Sequence, residues 1–102
     1  MTDEQLKRLV LAIIKKQTQI IGENLALERA VNTGLIQISS KDARNLTIEQ
    51  IHFSGADNEV VTRLIESYRE IFGQASVDVC VNILRENFPN DFRTVIPQTL
   101  LV

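Results

Sequence analysis

The 102-residue chain has no tryptophan, a single histidine, a single cysteine and only two prolines. Each shortage excludes something. One cysteine and one histidine cannot build a structural zinc site, which takes four such ligands. A lone thiol forms no internal disulfide, so a reducing, cytoplasmic setting is expected. A di-iron bundle takes two Glu-x-x-His pairs, which a single histidine excludes, and no glycine-rich loop with a following lysine is present to cradle phosphates. No cofactor or metal is therefore expected. No apolar run approaches the roughly 18 residues of a spanning helix, so no membrane segment is expected. The N-terminal MTDEQLKR does not read as a secretory leader. A net charge of −2 disfavours a dedicated binder of nucleic-acid backbones.

What remains is ordinary globular composition, 44% hydrophobic and 24% charged, at a length that supports one core. The reading is a single domain over 1–102: helical at 3–34, an irregular crossover at 35–57, helical at 58–88, and an apolar tail at 92–102.

Thr2-Asp3-Glu4-Gln5 has the form of a capping box. After it, Leu6, Leu9, Val10, Ile13, Ile14, Ile20 and Ile21 recur at three- and four-residue steps, the signature of an amphipathic helix over about 3–21. Gly22 interrupts the pattern, and a second run carries Leu25, Leu27, Ala30 and Val31 toward a stop at Gly34. In the crossover, Leu35–Ile38 reads as a short strand or an extended link. Lys41–Arg44 reads as a possible helical turn, and Leu46–Ile51 as a short helix capped by Thr47, although it partly alternates. Ser54-Gly55-Ala56-Asp57 is a turn, with Asp57 as the expected cap of the next helix. There, Val61, Leu64, Ile65, Tyr68, Ile71 and Phe72 form one stripe, with Arg63, Glu66, Arg69 and Glu70 opposite. Gly73 interrupts this helix as Gly22 does the first.

A shift of 51 residues superposes the two halves. It pairs Gly22 with Gly73, Val10 with Val61, Ile14 with Ile65 and Ile20 with Ile71 as identities. Such a duplication predicts a mainly α fold of two long or four shorter helices, a possible duplicated helical hairpin. If the helices run through the glycines, two rods of about 45 Å need a second copy to complete a bundle. If they break, four helices close a core alone.

Three functional readings arise. An enzyme would have to use Cys80 or His52, yet Cys80 lies in the apolar run Val77–Leu84, where cysteine is a small core hydrophobe; no enzyme is expected. A nucleic-acid-associated regulator would use the basic cluster Lys7, Arg8, Lys15 and Lys16, and Ile48–Tyr68 has the outline of a helix-turn-helix. Its reading helix, however, would open Asp57-Asn58-Glu59, and residues 52–102 carry four basic against seven acidic groups. The favoured expectation is a non-enzymatic protein–protein interaction module, a small self-associating adaptor or regulatory subunit. Its expected partners are a second copy, as a homodimer, and another protein. The expected interface residues are Tyr68 and Phe72 on the third helix with Val95, Ile96, Leu100 and Leu101 in the tail. Five of the last eight residues are aliphatic, where chain ends are ordinarily polar.

Overall fold

The computed structural model describes residues 2–87. The tail candidates Val95, Ile96, Leu100 and Leu101 lie outside the described residues. Four helices pack against one another: α1 (Asp3–Ile21), α2 (Glu23–Val31), α3 (Asp57–Phe72) and α4 (Gln74–Asn87). Between α2 and α3 the chain forms β1 (Ile36–Ile38), a single 3₁₀ turn (Ile48–Gln50) and β2 (Ile51–Phe53).

The start of α1 follows from its capping box. The Gln5 amide donates to Thr2 Oγ1 at 3.1 Å, and Gln5 Oε1 accepts from the Thr2 amide at 2.9 Å. Two amides that the first turn would leave without partners are thus satisfied. Both glycines break their helices, which decides for four shorter elements. Gly22 sits at φ +92°, ψ 160° and Gly73 at φ +66°, ψ −148°. These are conformations that a side-chain-bearing residue rarely adopts. At each break the glycine amide still closes the preceding helix, onto Thr18 O at 3.1 Å and Arg69 O at 2.8 Å. Those acceptors are themselves related by the 51-residue shift.

The matched positions are matched in burial as well. Val10 and Val61, Ile14 and Ile65, Ile13 and Leu64, and Leu9 and Val60 are all fully buried. Ala26 and Ala30 of α2 correspond to Val77 and Val81 of α4 on the same core. Each short helix packs on its own long helix and on that of the other half, α2 on α3 and α4 on α1. The duplicated hairpin is therefore legible in three dimensions.

The crossover is where the expectations needed correction. β1 and β2 pair antiparallel, Ile36 with Phe53, Gln37 with His52 and Ile38 with Ile51. Ile36 and Ile51 are buried and Ile38 and Phe53 half-buried, while Gln37 and His52 face out. Thr47 does open a turn, its amide donating to Gln50 Oε1 at 3.1 Å, but the turn is only three residues long before β2 begins. Lys41–Arg44 is not helical. Asp42 instead organises a tight turn, accepting from the amides of Arg44 (3.0 Å) and Asn45 (3.3 Å) and from Asn45 Nδ2 (2.6 Å). Glu23, at the first position of α2, holds this turn by accepting from the Ala43 amide at 2.9 Å. Asp57 is the first residue of α3 rather than its cap; Ala56 occupies that position. An acidic residue there still complements the positive end of the helix dipole.

The Asp42 turn has a pH signature. Hydrogen bonding from the Asn45 side chain, then from the adjacent Glu23 carboxyl and from backbone amides, holds Asp42 below its ordinary value of 3.8, against the opposing effect of burial. A carboxyl depressed by folding contributes stability above its unfolded pKa and loses it as pH falls through the folded value. The turn is thus expected to loosen only below about pH 3.8. Amide signals of Arg44 and Asn45 followed by NMR should shift together there. In Asp42→Asn the acid-dependent shift should vanish; an unaltered titration would remove Asp42 as its source.

Candidate interaction surface

Tyr68 is not on the surface. It is fully buried, and its hydroxyl donates to Ala26 O of α2 at 2.7 Å. Burial first, and the nearby Cys80 second, push the phenol far above its usual range, so it stays a neutral donor. The expected interface anchor is therefore a core residue. Its hydroxyl reaches the backbone of α2, which covers it.

Its counterpart under the 51-residue shift is Gln17 of α1, a residue the sequence analysis did not single out. Gln17 is fully buried against α4. Its Nε2 donates to Ser76 O (3.3 Å) and to Cys80 Sγ (3.6 Å), and its Oε1 accepts from Ser76 Oγ at 3.2 Å. Gln17 stands five residues before Gly22 and Tyr68 five before Gly73. Each reaches a backbone carbonyl early in the other half's short helix, Ser76 three residues past Gly73 and Ala26 four past Gly22. Two crossed hydrogen bonds thus tie the halves together, and no buried side-chain polar atom among the described residues lacks a partner.

Cys80 belongs to this network. Burial pushes its thiol up to about 12, partly opposed by the hydrogen bond from Gln17. A thiol held in that state is a poor nucleophile at neutral pH. The hydrogen bond it receives comes from Gln17, not His52, and His52 is exposed on β2. The structure does not bring the two together as a dyad.

Of the four basic candidates, Lys7 pairs with Asp3 at 3.4 Å and Arg8 with Glu4 at 3.0 Å, both one turn away on α1. Lys15 and Lys16 are exposed and have no ion pair among the described residues. Lys15 lines a shallow cleft with Thr18, Gln19, Ala43 and Arg44. The Ala43 and Arg44 amides beside that cleft donate to the Glu23 and Asp42 side chains.

The large apolar side chains left exposed are few. Phe72 is 49% exposed and Ile71 37%, at the C-terminal end of α3, and Val31 is 45% exposed at the end of α2. Gln17 bonding to Ser76, and Tyr68 to Ala26, bring the two glycine turns to the same end of the bundle, so Ile71 and Phe72 lie at that end. Gly73, Gln74 and Ala75 beside them are exposed too. Along the outer face of α3, Arg63, Glu66, Arg69 and Glu70 alternate in sign. Glu70 pairs with Arg29 of α2 at 3.4 Å; Arg63, Glu66 and Arg69 have no ion pair among the described residues.

Among the described residues no helix is long and apolar enough to cross a membrane, and no three His, Cys, Asp or Glu side chains are grouped to hold a metal. Comparison of the chain with protein-family models, with curated proteins and with solved structures finds no match.

Proposed function

We propose that the chain is a non-enzymatic interaction module, a small adaptor or regulatory subunit of the cytoplasm that associates with a second copy of itself. The observation that carries this reading is the exposed pair Ile71 and Phe72 at the glycine end of the bundle. An aromatic and a β-branched residue left in water beside small, accessible neighbours form the kind of anchor that interface cores use. A second copy is the occupant that the flanking charges favour. A twofold contact sets one patch against itself, so a patch carrying both signs is self-complementary. Arg63, Glu66 and Arg69, which have no ion pair among the described residues, supply both signs on the adjoining face of α3. The high thiol pKa of Cys80 and its separation from His52 support the non-enzymatic part. The alternative, a nucleic-acid regulator acting through Lys7, Arg8, Lys15 and Lys16, has less support, because two of these four cations are engaged along their own helix.

Sedimentation velocity of the full chain tests the proposal. Dimers are expected at micromolar concentration, persisting in high salt and after nuclease treatment, with dissociation raised at least tenfold in Phe72→Asp. A chain that stays monomeric, or a Phe72→Asp variant that dimerises unchanged, overturns it.

A further inference from the structure

A second apolar feature is built from α2 and β1. A groove of about 370 Å³ runs between the outer face of α2 and β1 with its following turn. Its floor is Leu27, Val31 and Ile38, and its rim is polar, including Asn24, Asn32 and Lys41. The α2 residues that line it span Asn24 to Asn32, about 12 Å at 1.5 Å per residue. An extended segment of about four residues has that length. The edge of β1 away from β2 pairs with no strand among the described residues. Ser54 N donates to Leu35 O and Ser39 N to Gln50 O, so alternation along the ladder turns the backbone groups of Ile38 away from β2.

We propose that this groove is the seat of the chain's own segment Thr99-Leu100-Leu101-Val102. The segment has the matching chemistry, three consecutive aliphatic side chains for a three-residue apolar floor, and residues 94–102 carry no charged side chain. Reach is sufficient. The described residues end at Asn87, and the eleven intervening residues, 88–98, span up to about 36–40 Å. The longest dimension of the described residues is 32 Å. Asn24, Asn32 and the outward groups of Ile38 supply hydrogen-bonding partners for an added backbone, as in strand addition at a sheet edge. None of the residues lining it belongs to the Ile71–Phe72 surface, so the two proposals fail separately.

Methyl-labelled full-length protein examined by NMR decides the matter. Nuclear Overhauser contacts from the methyls of Leu100 and Leu101 to those of Leu27, Val31 and Ile38 are expected. They should persist in a monomeric Phe72→Asp sample and stay within one molecule when differently labelled copies are mixed. Val31→Asp should abolish them while the Tyr68 ring signals stay in place; should that variant unfold, the wild-type contacts still give the answer. Contacts found only between copies, contacts to Phe72 instead, or none at all would each overturn the proposal.

Discussion

Tyr68→Ala is expected to lower the unfolding free energy by about 4 kcal/mol, the scale for removing a buried aromatic ring without refilling its space. Stability of a domain this size is about 5–15 kcal/mol in total, so the variant should sit near the edge of folding. Two effects combine. The ring leaves a cavity among Leu64, Ile65 and α2, and the crossed hydrogen bond to Ala26 O disappears. Tyr68→Phe separates them. It keeps the ring and loses only the hydroxyl, and Ala26 O retains its helical donor, so about 1 kcal/mol is expected. Urea denaturation of both variants, at several protein concentrations, checks the assignment. A loss for Tyr68→Ala that grows on dilution would return Tyr68 to an interface between copies. A loss below about 1 kcal/mol would show that the ring is not packed as described.

That single residue also shows what sequence alone could and could not reveal. The stripe Val61, Leu64, Ile65, Tyr68, Ile71, Phe72 identifies a helix face, but periodicity says nothing about how far the facing helix extends. Tyr68 falls under α2; Phe72, one turn on, falls past the cover. Gln17 shows the converse. Its type and its neighbours Lys16 and Thr18 place it with the polar side, and its register against Tyr68 in the 51-residue repeat points to the core only once Tyr68 is seen to be buried. The capping box at Thr2 and the positions of the two interrupting glycines are local signals, and they were legible; whether the helices run through those glycines was not, because it is set by backbone conformation. The pairing of Ile36 with Phe53 and the hold of Glu23 on the 42–45 turn join residues 17 and 20 apart through contacts that leave no periodic trace. The groove floored by Leu27, Val31 and Ile38 is of the same kind, built across two elements and invisible in either.

Gly22 and Gly73 carry the other large prediction, because here the two architectures differ in sign. Were the helices continuous, alanine at each site would stabilise by about 1 kcal/mol through helix propensity. In the broken form, each alanine is forced to φ +92° or +66° and should cost about 1–3 kcal/mol. Space is not the issue, since a Cβ at either position meets no atom within 4 Å. The whole penalty is backbone strain, and repair by shifting a neighbour is not open to the protein. The breaks stand at equivalent places in the two halves, with the crossed bonds of Gln17 and Tyr68 close by, so the double variant should lose about 2–6 kcal/mol, near the sum of the single losses. Equilibrium unfolding of the two single variants and the double reads this directly. A double variant more stable than the parent would mean that the helices straighten in solution. Two long rods would then require a second copy for their core, and self-association would become a condition of folding rather than a property of the Phe72 surface.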